Sequence, residues 1–126
     1  MLPDKEFVKA KLEEFFCSVD EVVKPYYDKF GYRKRKLKKR GRVLFEKNIG
    51  EKLITIDYHS YAEYGINGFL VTFYSERRYF HPIKQNDKLN ADDPWKYENE
   101  NELKKLLNES VSKIEEQQLL QSEEVT

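Results

Sequence analysis

A single cysteine, Cys17, stands among 126 residues. That excludes an intrachain disulfide and any zinc site built from several thiolates. The five glycines are scattered at 31, 41, 50, 65 and 68, so no glycine-rich phosphate loop is present. No Gly-x-Ser-x-Gly elbow marks a hydrolase nucleophile. Long apolar runs are missing as well. The longest is Gly68-Phe69-Leu70-Val71, far short of the roughly 20 residues a membrane helix needs, so no membrane span is expected. The opening segment carries acidic side chains and no apolar stretch of the kind a secretion signal requires, and a cytoplasmic location is the expectation.

What the chain does have is aromatic and charged residues. Phe, Tyr and Trp make up 14%, too many for a disordered chain, because large apolar side chains gain most from burial. Charged residues reach 37%, against about a quarter in an ordinary soluble domain. The length suits one α+β domain, read here as residues 1–116, followed by an acidic tail over 117–126 that is expected to fray or be disordered. The net charge of zero hides a segregation: residues 1–23 carry a net −3, residues 24–42 a net +9, residues 43–86 balance, and residues 87–126 carry −6.

Apolar residues from Phe7 to Phe30 recur at spacings of three and four, which predicts an N-terminal helix capped by Asp4 and ended at Gly31. Pro25 predicts a kink or break. Ser18-Val19-Asp20-Glu21 has capping-box spacing and allows two helices meeting there, while the unbroken apolar phase favours one long bent helix. From Tyr32 the period becomes two. Tyr32 to Leu37 is extended and charged; Arg42 to Lys47, Lys52 to Ser60 and Gly68 to Ser75 alternate, with Asn48-Ile49-Gly50-Glu51 as a turn. Asn67-Gly68 is either a tight hairpin turn or the end of a longer loop over 61–68. Arg77 to Ile83 adds a short edge strand stopped by Pro82. Asp93-Pro94 then looks like a helix start, and Leu103, Leu106, Leu107, Val111 and Ile114 form its stripe. The fold class is therefore α+β: an antiparallel sheet of three to four strands packed against a long N-terminal helix and a C-terminal helix, in the order α-β-β-β-α. Phe45, Ile54, Ile56, Phe69, Val71 and Phe73 are expected to face the helices.

The residues offer little catalytic chemistry. Cys17, beside Phe15 and Phe16, is expected to be a small buried thiol. Asp57, His59 and His81 are the only histidine-carboxylate grouping, and no spacing among them signals a metal. Asp92-Asp93 is better explained as a helix cap. No catalytic residue, metal or cofactor is assigned.

The sharpest feature is the run Arg33, Lys34, Arg35, Lys36, Lys38, Lys39, Arg40 and Arg42. A strand sends these charges to both faces, so the segment cannot be deeply buried. Three readings are open. It is a charge-protected edge strand; or it docks an acidic protein or the chain's own acidic last helix; or it is a basic hairpin arm near Gly41 lying along a nucleic-acid backbone, with Tyr32, Tyr58 or Tyr61 stacking on bases. The element order invites comparison with double-stranded RNA-binding domains, in which the last helix supplies a basic cluster. Here that helix carries Glu98, Glu100, Glu102, Glu109, Glu115 and Glu116 against three lysines, and the sign excludes the assignment.

Residues 22–60 carry a further pattern. A helix with an internal proline (Val23-Lys24-Pro25-Tyr26-Tyr27) leads through Phe30-Gly31-Tyr32-Arg33-Lys34 into a basic strand. Gly41 follows, with Phe45 four residues on, then a turn and an amphipathic strand ending Tyr58-His59-Ser60. This layout resembles a family of small bacterial α+β domains of unknown function, some linked to polymorphic-toxin immunity. The resemblance implies a binding protein without catalytic residues; it names no partner, and it carries over no functional residue.

The expectation is thus a non-catalytic protein-binding domain of immunity or inhibitor type, engaging an acidic partner through the basic segment, with a nucleic-acid-binding accessory protein as the alternative. If both helices cover one sheet face, the other presents Leu44, Leu53, Leu70 and Tyr74, an apolar patch suited to a partner or to a homodimer. Its competing covers are a helix crossing over, or the loop at 84–93 with Trp95 folded back.

Overall fold

Apolar positions three and four apart draw residues 4–30 into one helical rod in the computed structural model, which describes residues 4–76, 79–86, 88–90 and 92–116, and of 79–81 the backbone alone. Helix α1 (Lys5–Ser18) begins at Asp4, whose side chain accepts the Glu6 N–H at 3.0 Å. It runs through a wide turn at Val19–Val23 into α2 (Lys24–Lys29). In that turn the Lys24 N–H reaches back five residues to the Val19 carbonyl. Pro25 supplies the cause. It has no N–H to offer the preceding turn and its ring crowds the carbonyl four residues back, so the helix widens ahead of it. The expected bend is therefore a π-turn. The capping-box alternative is not used, since Ser18 makes no side-chain cap bond. Gly31, at φ +81°, ends the rod.

The strands are β1 (Arg33–Leu37), β2 (Arg42–Ile49), β3 (Lys52–Ser60), β4 (Gly68–Ser75), β5 (Tyr79–Ile83) and the two-residue β6 (Trp95–Lys96). They form one antiparallel sheet in the order β1-β2-β3-β4-β5, and β6 pairs with Gly68 and Phe69 on the stretch of β4 beyond the end of β5. The sheet is wider than the three to four strands expected: the charged segment Arg33–Leu37 and the short edge segment Tyr79–Ile83 both pair as full strands, and the two-residue β6 has no period to read. Residues 61–67 form the longer of the two connections considered, with a short helical turn at Ala62–Tyr64. Gly68 starts β4 because the chain of β6 crosses against it: a Cβ there would lie 3.1 Å from Pro94 Cβ and 3.2 Å from the Trp95 carbonyl.

The C-terminal helix α3 (Glu100–Glu116) begins later than Asp93-Pro94. Asn99 is its cap, its side chain accepting the Glu102 N–H at 2.9 Å. The Asp93 carboxylate instead accepts the Asn90 N–H at 2.9 Å, and the residues after Pro94 are claimed by pairing with β4. The tail expected over 117–126 lies outside the described residues.

Strand alternation sorts the faces as expected. Phe45, Ile54, Ile56, Phe69, Val71 and Phe73 are buried against Phe15, Val19, Leu103, Leu107 and Ile114, so both helices cover one face. A hydroxyl chain crosses this core. Ser110 Oγ donates to the Leu107 carbonyl at 2.6 Å, which leaves it to accept from Tyr58 Oη at 2.8 Å; Tyr58 Oη in turn accepts from Tyr27 Oη at 3.1 Å. Burial pushes the Tyr27 and Tyr58 phenols above their ordinary range, so both stay protonated donors. Tyr58→Phe is expected to cost about 1–2 kcal/mol in urea unfolding, because it leaves the Tyr27 hydroxyl buried without its acceptor. An unchanged midpoint would mean the chain of hydroxyls contributes nothing net.

Candidate binding face of the sheet

The second face of the sheet has no helix over it among the described residues. Cross-strand partners share a face, so the register builds this one in rows. Leu37, Arg42, His59 and Leu70 form one row; Arg35, Leu44, Asp57 and Thr72 the next; Arg33, Glu46, Thr55 and Tyr74 the third. An open groove of about 950 Å³ runs over the part of these rows on β1, β2 and β3, with Tyr74 on β4 and the two short helical turns at its margin. Leu44 and Tyr74 are apolar lining, and Lys38, Lys39, Arg40, Glu63 and Tyr64 stand at its rim.

The basic segment is divided among three places. Lys34 and Lys36 pair in register with Phe45 and Val43 and so lie on the helix side. Lys34 bonds Asp20 at 2.6 Å, and the Lys36 ammonium sits 4.7 Å from the centre of the Phe16 ring. On the open face, Arg35 bonds Glu46 at 3.1 Å and Arg42 bonds Asp57 at 2.5 Å. Exposed Arg33 stands at the edge beside that groove. Lys38, Lys39 and Arg40 are exposed and make no ion pair among the described residues. They do not form a projecting arm. The turn is anchored at Gly41, whose carbonyl accepts the Ser60 N–H at 2.8 Å. Gly41 has φ +65°, and a Cβ on it would sit 3.2 Å from Leu12, so only glycine fits there without strain.

Asp57 is the feature that strand alternation alone could not reveal. Its side chain is only 5% exposed, in the middle strand of the groove floor. One carboxylate oxygen takes Arg42, while Oδ1 is buried and accepts nothing from the described residues. Burial raises its pKa and Arg42 pulls it partly back. His59, two residues along on the same face, is half-buried; burial and the Arg42 charge lower its pKa to about 4. It is therefore a neutral imidazole at pH 7. A histidine NMR titration is expected to give a midpoint near 4 for His59, and a midpoint above 6 would mean that it is solvated. Linkage has a definite sign: the His59 share of stability is present above the ordinary histidine pKa of about 6.5 and is lost as pH falls through about 4.

Other expectations are corrected here. Cys17 is exposed, not buried, because it lies about 200° round the helix from buried Phe15. Leu44 is buried at 8% exposure, not displayed, on an interior strand where Arg35 and Asp57 stand directly across from it and Arg42 and Glu46 follow on the same face; Leu53, Leu70 and Tyr74 are half-buried. Trp95 turns to the core side, where it stacks on Phe69 at 5.6 Å and donates to the Ile83 carbonyl, so it does not cover the open face. Tyr32 and Tyr58 are buried and offer no stacking surface to a base, whereas Tyr61 is half-buried beside exposed Tyr64, their ring centres 5.2 Å apart. Among the described residues no three His, Cys, Asp or Glu side chains are grouped to hold a metal, and no helix is long and apolar enough to cross a membrane. The His81 side chain lies outside the described residues. Comparison with known proteins finds no family model, no curated protein and no solved structure that matches the chain.

Proposed function

We propose that this is a non-catalytic binding protein of immunity or inhibitor type, whose uncovered sheet face receives an acidic segment of a partner protein. The observation that carries this reading is the groove itself. It has apolar lining, half-buried Leu37 and Tyr74 with Leu44 buried at its floor, and a rim where Lys38, Lys39 and Arg40 make no ion pair among the described residues. Unpaired cations beside a partly apolar concave face favour a ligand that brings both carboxylates and side-chain surface. Nucleic acid is the weaker reading: Tyr32 and Tyr58 are buried, which leaves Tyr61 and Tyr64 at one end of the groove as the stacking surface. A second copy of this chain would set one cationic rim against another.

The test compares two fluorescein-labelled probes at about 0.15 M salt, an ionic strength that screens long-range attraction: a twelve-residue peptide alternating Glu with Tyr or Leu, and a single-stranded DNA of equal length. The peptide is expected to bind, and Lys38→Glu, Lys39→Glu, Arg40→Glu together to weaken it at least tenfold while leaving the fold intact, since exposed unpaired charges carry little stability. DNA binding with a steep salt dependence and no peptide binding would transfer the protein to the nucleic-acid class.

A further inference from the structure

We propose that the acidic segment is anchored by one neutral hydrogen-bond donor, a carboxamide, hydroxyl or indole N–H, which the groove receives on Asp57 Oδ1. This rests on the binding reading above and specifies what the partner must bring besides negative charge.

The argument starts from placement. Asp57 lies at the centre of β3, with Leu44 and Thr72 directly across from it on the neighbouring strands. A carboxylate in a sheet face that is 95% out of water must have its lone pairs met, or it destabilises the fold. Arg42 meets one oxygen only; the other is buried and has no partner among the described residues, on a side chain that lines the groove. Nothing in the core uses this group, because the helices lie on the opposite face. A buried acceptor without a partner, on a side chain lining a groove, is suited to a donor arriving from outside.

The surroundings choose the kind of donor. Arg42 is in contact with the same carboxylate, and Arg35, Lys38, Lys39 and Arg40 line the groove. A lysine or arginine of the partner would meet this positive field, whereas a neutral donor would not. His59 beside it is uncharged at neutral pH and adds no charge of either sign to the site. Leu44 lies directly across from Asp57 and Tyr74 stands in the neighbouring row of the same face, apolar surface that suits the body of an asparagine, glutamine, tyrosine or tryptophan side chain. The partner segment is then an anchor residue of this type with Asp or Glu on either side, its carboxylates reaching Lys38, Lys39 and Arg40.

A displayed library of random twelve-residue peptides, selected on the intact chain, supplies the probe. Recovered peptides are expected to be rich in Asp and Glu and to share one amide, hydroxyl or indole side chain. Synthetic copies with that residue changed to Ala or Leu are expected to bind the unaltered protein at least tenfold more weakly. This arm needs no protein variant to fold. In the second arm, Asp57→Asn keeps the shape and lets the amide turn its oxygen to Arg42, so that an N–H now faces the groove. The parent peptides are expected to weaken about tenfold, and copies carrying Asp at the anchor to recover. Library peptides that are not acidic, or no binders at all, overturn the binding reading and this inference with it. Acidic peptides indifferent both to loss of the anchor and to Asp57→Asn overturn this inference alone.

Discussion

Phe69→Ala is expected to lower the free energy of unfolding by about 3–5 kcal/mol, a large share of the 5–15 kcal/mol that holds an ordinary domain together. Phe69 has no exposed surface, and its ring touches three different parts of the fold. Ring centres lie 5.9 Å from Phe15 on α1, 6.3 Å from Tyr58 on β3 and 5.6 Å from Trp95 on β6, the last nearly parallel. Removing it empties a space bounded by large rigid rings that cannot collapse inward, so the cavity penalty adds to the lost transfer energy. The loss would be read from urea denaturation with an unchanged slope. Leu53→Ala, on the half-buried open face, is the comparison and is expected to lose under about 1 kcal/mol. Equal losses at the two sites would mean that the helices do not lie on the Phe69 face.

Arg42→Met has the second largest expected effect, about 2–3 kcal/mol at pH 7. Breaking a buried ion pair by removing one partner typically destabilises by 3–5 kcal/mol, and the value here is lower because the Arg42 side chain is 33% exposed and partly hydrated already. The variant leaves the Asp57 carboxylate buried with neither oxygen bonded. Desolvation already raises the Asp57 pKa, with Arg42 opposing it, so loss of Arg42 raises it further. The sign then follows. A carboxyl whose folded pKa lies above its unfolded value favours the folded state at low pH, and that favour is lost as pH rises through the folded pKa. The gap between variant and parent is therefore expected to be widest near neutrality and to close as pH falls below about 4, the ordinary aspartate value. Unfolding curves across that range provide the check. A gap that stays constant with pH would assign the effect to lost packing of the Arg42 stem, not to Asp57.

Much of the fold is legible in periodicity because both repeats are geometric. Phe15, Val19 and Val23 lie on one stripe of a helix whatever it packs against, and Ile54, Ile56 and Tyr58 lie on one side of a strand whatever covers it. Matching the two apolar sets gives a sheet under two helices, and Pro25 announces a disturbance in the first. Local signals failed where they had a second use. Asp93-Pro94 has the residue types of a helix start, yet the Asp93 carboxylate closes a turn at Asn90 and the following Trp95 is drawn into β6 and onto Phe69. Cys17 was misplaced by its neighbours in sequence, although its angle round the helix already pointed to solvent.

The candidate site was half legible. The basic run from Arg33 to Arg42 and the existence of a second sheet face both follow from the amino-acid order. Sequence by itself determined that an antiparallel sheet lies in the chain between an N-terminal and a C-terminal helix, the side on which each residue of its longer strands stands, and the excess of cations between the first helix and the second strand. Only the tertiary structure decided what those cations do. Pairing of β1 with β2 sends Lys34 and Lys36 toward α1 and the turn before α2, and sends Arg35 to the groove; the anchored turn at Gly41 leaves Lys38, Lys39 and Arg40 exposed at its rim. It also decided that Asp57, fifteen residues from Arg42 in sequence, would form an ion pair with it and keep its other oxygen buried without a partner among the described residues. The reason is physical: alternation fixes the direction of a side chain from its own strand, whereas burial and pairing depend on which strand lies alongside and in what register, and that is settled only when the sheet assembles.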